Sequence, residues 1–583
     1  MSNVSMRRKA VMAVAIIALG GCALIARGPS PAIPSRVSAG FPAEWRFRAG
    51  ERTAFAKHGM VVTNSDVASR VGSEIMRRGG NAIDAAVATG FALTVTLPSA
   101  GNIGGGGFMV IRLANGESVA LDYREVAPRA ASRDMYLDSL GKLTNKSIVG
   151  HLAVGVPGSV AGMIEALHKY GTMSLQEVIA PAIELADKGW TVDSDFSRDV
   201  RDDSALVAQF EGRRLFFPNG QVVPAGTLLR QPELAWTLRQ IAARGPDGFY
   251  TGPVADSLVA EMRRGGGIIT HEDLRAYRPL WRSPVRGTYR GYTIISMPPS
   301  SSGGITMTEA LNILETYDRP APYGGTQWAH RLAESYQRAF IDRNSKIGDP
   351  AFVRVPQDLL TSKTYAQRLR ATIDEHRHTP TPQLNMAAAE GMNTTHYSIV
   401  DGLGNAVAVT TTLNGEYGSG VWVRGAGFFL NNEMDDFAAL PGSPNMFGLV
   451  QGEQNAIAPG KRMLSAMTPT VVLDSTGQVL MVVGGSGGPT IITGTSQVIL
   501  NVIDYRMSLA DAMRAPRLHH QSLPDTLTWE RGGLTDAVAD SLRAMGHGLR
   551  PTRSLVNINA IMRVRGGWHG VSEPRTRGGA EGY

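Results

Sequence analysis

Residues 393–414 read NTTHYSIVDGLGNAVAVTTTLN, and they leave the backbone little choice. THYSIV and NAVAVTTTL are rich in β-branched residues and flank the turn-forming DGLG, so the stretch predicts a β-hairpin. A hairpin centred on Leu403 pairs residues whose numbers sum to 806, which sets Thr394 directly opposite Thr412. Such neighbours have Cβ atoms roughly 4.5–5.5 Å apart. The pair is either an ordinary threonine–threonine contact or a nucleophile with its support. A threonine hydroxyl needs a base. His396 shares the strand face with Thr394 but lies about 7 Å along it, far for direct proton abstraction. The other base open to a threonine is its own α-amine, once the chain is cut before it; that amine titrates near working pH. Residues 376–393, HRHTPTPQLNMAAAEGMN, lack periodicity and read as an exposed, mobile segment. A cut at Asn393–Thr394 would free the amine.

The rest of the chain supplies a large core. It has 583 residues, of which 43% are hydrophobic and 19% charged, the balance of a globular protein. The net charge of +7 is scattered, with no basic stripe, which argues against a nucleic-acid partner. The first 21 residues carry a basic start and a short apolar run ending in Leu19-Gly20-Gly21-Cys22, which reads as a bacterial lipoprotein signal with Cys22 as the lipidated residue. The alternative is an ordinary secretory signal; either way the protein is expected to be exported. Cys22 is the one cysteine, so no intramolecular disulfide can form. Ala23 carries no retention signal of the aspartate type, which points to the periplasmic face of an outer membrane. Residues 22–55, rich in Pro, Arg and Ala, read as a tether.

Beyond the tether, Asn64 or Ser65 can cap a helix with Val67, Val71, Ile75 and Met76 on one face and Gly79-Gly80 at its end. Asn81 caps a second, Ala-rich helix. FMVIRLANGESVALDYRE predicts two strands around an Asn-Gly turn. Helices are expected over about 158–169, 174–188, 304–316 and 325–342, the last with a core stripe of Trp328, Leu332, Tyr336 and Phe340. After 393 the chain turns strand-rich, so the fold class is α+β or layered α/β/α. His376 and His378 could hold a metal, but no other ligand stands at useful spacing. The reading therefore names no metal and no cofactor.

GGNAIDAAVA, GNIGGGGFM, LDYREVAP, the hairpin, LNNEMDDF, LSAMTP and GGSGG, in this order, resemble the γ-glutamyltransferases of the N-terminal-nucleophile hydrolase superfamily. The resemblance runs from about residue 55 to Tyr583. It implies a four-layer αββα sandwich and self-cleavage of a precursor into a large subunit (56–393) and a small subunit (394–583) that stay together. By position it makes Thr394 the nucleophile and Thr412 its support. Arg124 and Ser465 would hold a donor's α-carboxylate, while Asn414, Glu433 and Asp436 surround its α-amino group. Gly487 and Gly488 would offer N–H groups to the oxyanion, a task that suits residues without Cβ atoms. The implied donors are γ-glutamyl compounds such as glutathione, released to water or to amino-acid and peptide acceptors. Two departures stand out: Ala466 where two serines are usual, and Phe447 in the lid-like PGSPNMFGLVQG where a tyrosine is often found. A glutaryl acylase of the same family is the nearest alternative, although a glutaryl group has no ammonium for Glu433 and Asp436. A non-catalytic lipoprotein scaffold is the alternative from another class; Thr394, Arg124, Asp436 and the glycines standing intact speak against it.

Overall fold

A computed structural model of the chain describes residues 41, 42, 45, 47, 52–381 and 394–583. Two seven-stranded antiparallel sheets form its centre. One runs in the order Gly579–Gly582, Met60–Thr63, Thr395–Val400, Ala406–Thr412, Gly106–Arg112, Ser118–Tyr123, Leu280–Arg282. The other runs Thr53–Ala56, Gly567–Val571, Asn557–Val564, Val479–Ser486, Thr470–Leu473, Tyr292–Ser296, Val285–Tyr289.

Alternation along the strands explains the layering. In the first sheet Val61, Met109, Ile111, Ile399, Val407 and Val409 pack against helices, while Met60, Val62, Phe108, Val110, Ala406 and Ala408 face the second sheet. The sheets also bond across their interface: Ser398 Oγ donates toward the carbonyls of Val482 (3.3 Å) and Asn559 (3.2 Å). Helices Asp66–Arg77 and Ala82–Thr96 cover the first sheet, and helices Gly303–Glu315, Thr326–Lys346 and Thr490–Ile503 cover the second. The result is the expected αββα sandwich.

The predicted helices stand within a few residues of their expected ends, at Ser159–Tyr170, Leu175–Lys188, Gly303–Glu315 and Thr326–Lys346. Ser65 caps the first helix by accepting from Ala68 N, and Asn81 forms a capping box with Asp84. The buried face of the first helix differs from the expected one. Val67 and Val71 are only half-buried, and the buried face is Ala68, Gly72, Ile75 and Met76. The cause is a close helix crossing: a Cβ on Gly72 would lie 2.3 Å from Thr89 Oγ1.

Of residues 376–381, four are exposed as expected and two depart from the reading. His378 and Thr381 are buried, although the segment was expected to be exposed. Their partners come from distant helices and loops that local periodicity does not reveal. Within the stretch read as a tether, Phe41 packs on Tyr323, and Trp45 donates through Nε1 to the Arg514 carbonyl at 2.7 Å. Cys22, Asn393 and the signal-like segment lie outside the described residues. No helix among the described residues is long and apolar enough to cross a membrane.

Candidate active site

The hairpin register is the predicted one: Thr395 faces Thr411 and His396 faces Thr410, so residue numbers sum to 806. Thr394 therefore stands at the strand end beside Thr412, with their Oγ1 atoms 3.2 Å apart. Thr412 Oγ1 accepts the backbone N–H of Asn414 at 2.8 Å. That interaction helps to orient the hydroxyl beside Thr394. Asn414 sits at φ 73°, a left-handed conformation that asparagine tolerates, and its Nδ2 donates to the Asn432 carbonyl at 3.0 Å. His396 is engaged elsewhere, by Thr410 Oγ1 (2.8 Å) and Ser398 Oγ (3.0 Å). Burial pulls its pKa down to about 3, so it is neutral at working pH.

Thr394 opens onto a tight pocket of about 20 Å³. Arg124, Thr412, Asn414, Glu433, Asp436 and Ser465 line it together with Gly488. Gly487 lines instead a neighbouring cavity of about 380 Å³. Both glycines hold positive φ, 144° and 56°, which favours residues without a Cβ. Phe447 lines both spaces. Its ring lies over Gly488, where a Cβ would come within 2.7 Å of it. The segment that resembles a lid thus meets Gly488 by apolar contact, and Gln521 Nε2 donates to the Phe447 carbonyl at 3.2 Å.

The pocket floor is a knot of buried charge. Arg124 is fully buried; its guanidinium donates to Glu433 and Asp436 through separate nitrogens and to the Met463 carbonyl at 3.2 Å. Burial works against the Arg124 charge, but Glu433, Asp436 and Glu125 more than offset this and hold its pKa above the ordinary value. Burial raises the pKa of Glu433 and Asp436 despite Arg124. Glu125, 3.8 Å from the guanidinium, is pushed up to about 7, again chiefly by burial. Ser465 is fixed through its backbone: Ser465 N donates to the Ser300 carbonyl (3.0 Å), and its own carbonyl accepts from Ser302 N (2.8 Å) and Ser302 Oγ (2.6 Å).

Two residues here were not singled out from the sequence. Glu125 lies inside the quoted LDYREVAP, yet only Arg124 was assigned. Arg343, at the end of helix Thr326–Lys346, reaches the same pocket. Its Nε donates to Ser302 Oγ at 2.9 Å and Nη1 to Gln451 Oε1 at 3.3 Å, while Nη2 is buried without a partner. Burial lowers its pKa to about 10, with Asp436 opposing and Arg124 adding to the shift. The signal was present: Arg343 extends the stripe Leu332, Tyr336, Phe340, where a cation on a core-facing row calls for a reason.

Chemically, the pocket gathers the Thr394, Thr412 and Ser465 hydroxyls around a space shared with a guanidinium flanked by two carboxylates. An amino-acid head group, with its own carboxylate and ammonium, can exchange partners with such a pair without leaving a buried charge alone.

The family model for gamma-glutamyltranspeptidase matches residues 68–583. The chain is 46% identical to the glutathione hydrolase proenzyme of Pseudomonas sp. (strain A14), over 91% of this chain and 95% of that protein. It is 39% identical to the acylase ACY 1 proenzyme of Pseudomonas sp. (strain SE83), over 88% and 91%. Among solved structures, the cephalosporin acylase of Bacillus halodurans superposes with a TM-score of 0.81 at 28% identity, covering 93% of this chain and 99% of that one. With its sandwich, its hairpin and its matching length, this chain belongs to the gamma-glutamyltranspeptidase family.

Proposed function

We propose that the protein is a γ-glutamyltransferase and glutathione hydrolase, matured by a cut between Asn393 and Thr394. One observation carries the reading most: Thr394 Oγ1, 3.2 Å from Thr412 Oγ1, opens onto a pocket that pairs Arg124 with Glu433 and Asp436. In this reading the donor's α-carboxylate takes Arg124 and Ser465, and its ammonium takes Glu433, Asp436 and Asn414. The γ-carbonyl then lies at Thr394. The freed α-amine accepts the Thr394 hydroxyl proton as Oγ attacks the γ-carbon, and the N–H groups of Gly487 and Gly488 receive the oxyanion. Collapse breaks the C–N bond, and the leaving amine takes the proton back. Water or an acceptor amine, deprotonated by the same α-amine, attacks the ester and regenerates Thr394.

N-terminal sequencing of the smaller chain tests the cut: Thr-Thr-His-Tyr-Ser is expected, and any other start overturns it. Relative turnover of γ-glutamyl and glutaryl anilides tests the donor. The acylase relative at 39% identity keeps the glutaryl reading in view, and faster glutaryl turnover would establish it. We further propose export with lipid attachment at Cys22. Cys22→Ser should then release the protein from membranes or leave its signal uncleaved, whereas a wild type wholly soluble after export would refute the anchor.

A further inference from the structure

Away from the donor pocket the chain buries a second set of titratable side chains, drawn from distant stretches. Helix Thr326–Lys346 contributes His330 and Glu334, four residues apart and so on one face. His547 comes from the turn after helix Asp536–Ala544, and His378 from the HRH tripeptide that sequence spacing left without partner ligands. His330 and Glu334 are 0% exposed and His547 4%. One potential ligand atom from each of the three lies within 4.8 Å of the other two.

Hydrogen bonds fix the protons. His330 Nε2 lies 2.7 Å from the Asp374 carbonyl, which only accepts, so Nε2 carries the proton and Nδ1 is a bare lone pair. His547 Nε2 lies 2.8 Å from that lone pair. The Glu334 carboxylate is oriented from outside by Arg338 Nη1 (2.7 Å), His378 Nδ1 (2.7 Å) and Thr379 N (3.1 Å). An imidazole whose far N–H is tied to a carbonyl, beside a carboxylate held by surrounding donors, is how proteins orient metal ligands. In the ion-free protein His547 Nε2 therefore donates to His330 Nδ1, and an ion would take the place of that proton, which His547 can carry instead on Nδ1, buried without a partner.

The adjoining trio His378, His520 and Asp525 differs. Ser522 N donates to His520 Nδ1 at 3.2 Å, so neutral His520 keeps its proton on Nε2, which faces Asp525 Oδ1 at 3.2 Å. His378 directs one nitrogen at Glu334 and the other at Asp525, 2.9 Å away, and donates through both. No imidazole lone pair remains there for an ion.

We propose that His330, Glu334 and His547 bind one divalent transition-metal ion of the zinc class. Two imidazoles and a carboxylate suit zinc, cobalt or nickel, whereas calcium and magnesium favour all-oxygen sets. Zinc ligand atoms stand roughly 3.4 Å apart in a tetrahedron, so the 2.8 Å nitrogen pair need open only slightly. Water fills the fourth position. The ion ties a helix on the N-terminal side of the proposed cut to a turn on its C-terminal side and touches no residue of the donor pocket.

The test uses untagged, full-length protein stripped with EDTA and dialysed against zinc chloride. One zinc per chain should be retained, with a higher thermal midpoint. His330→Ala and His547→Ala should each weaken binding by about 100-fold or more. His520→Gln should stay within about threefold of wild type, and circular dichroism with a cooperative thermal transition should show that each variant is folded. Three outcomes overturn the proposal: wild type binding less than a tenth of an equivalent, full retention by His330→Ala or His547→Ala, or loss in His520→Gln instead. Should an alanine variant fail to fold, the wild-type stoichiometry and His547→Gln decide. Uncut Thr394→Ala protein should bind zinc equally, so the metal site stands or falls apart from the catalytic reading.

Discussion

Two buried ion networks in this molecule use the same residue types to different ends. In the first, Arg517, Glu530, Glu573 and Arg575 alternate in sign. Arg575 meets Glu530 at 2.6 and 2.7 Å and Glu573 at 3.0 Å, and Arg517 meets Glu573 at 2.9 Å. Backbone N–H groups of Arg517, Leu555 and Ile558 complete both carboxylates. Burial raises the Glu573 pKa, but the two arginines outweigh it and hold the group below the ordinary value. Around Arg124 the balance fails. Both Glu125 oxygens, Glu433 Oε2 and Arg343 Nη2 are buried without hydrogen-bond partners, and the carboxyls titrate high. In the first network Arg517 Nε alone lacks a partner and both carboxylates are fully answered; a network whose carboxylates are answered holds the fold, and one whose carboxylates are left short of partners is shaped for something that arrives later.

The sharpest separation comes from Thr394→Ala, which leaves both networks intact. The chain should run as a single uncut band on a denaturing gel, with turnover reduced at least about 10⁴-fold and a thermal midpoint within a few degrees of wild type. Cleavage that persists would remove Thr394 from its proposed role.

Next come the arginines. Arg575→Leu leaves buried Glu530 without its cation and Glu573 with Arg517 alone, and should cost about 3–5 kcal/mol of stability in denaturant titrations. Arg124→Leu should spare stability by comparison, because burial already raises the pKa of Glu433 and Asp436, which can take up a proton once the guanidinium is gone. It should instead lower kcat/KM for a γ-glutamyl amide by about 100-fold or more, the scale of 2–5 kcal/mol for a lost charge-pair partner. Equal stability losses in the two variants would break the comparison.

A smaller effect distinguishes the networks by pH. Glu125 ionises near 7 in the folded chain against an ordinary 4.5. Between those values the unfolded chain gives up its proton while the folded chain keeps it, so this group lowers stability as pH rises and adds no further loss above about 7. Glu573, held low, acts in the opposite sense: its contribution is lost as pH falls below the usual carboxylate range. Glu125→Gln should therefore gain thermal midpoint relative to wild type between pH 5 and 8, and a constant offset across that range would contradict the assignment.

The smallest expected change is at Ala466, which lines the donor pocket with Arg343. Ala466→Ser should lower KM for a γ-glutamyl amide several-fold and leave kcat within about a factor of three, since the added hydroxyl would serve ground and transition states alike. An unchanged KM would point to a donor whose carboxylate lies elsewhere.

What could be read from the sequence follows a physical line. The hairpin was legible because its register is set by a short turn and a period of two, and Thr394 came to Thr412 by counting alone. Arg124, Asn414, Glu433, Asp436, Ser465 and Gly488 meet in one pocket as their motifs implied. Arg343 was overlooked because its helix was read for its apolar stripe, and the cation that ends the stripe went unremarked. His330 and Glu334 lie on the other face of that helix, which would pass for solvent-facing until the loop carrying His378 covers it. Periodicity reports one element's burial against its nearest layer; it is silent about segments that fold over from far along the chain.

The strands on either side of residue 393 are interleaved. Thr395–Val400 lies between Met60–Thr63 and Ala406–Thr412, which in turn pairs with Gly106–Arg112; in the other sheet Thr470–Leu473 joins Tyr292–Ser296, and Thr53–Ala56 joins Gly567–Val571. A cut before Thr394 would therefore change the molecularity of folding while leaving the folded contacts as they are. The precursor finds its partners within one chain, at high effective concentration. Two severed pieces must meet in solution before any of these ladders can close, so recovery after denaturation becomes second order and competes with aggregation. The persistence of the mature protein is then a matter of its unfolding rate, and maturation makes its own assembly a step that is not readily repeated.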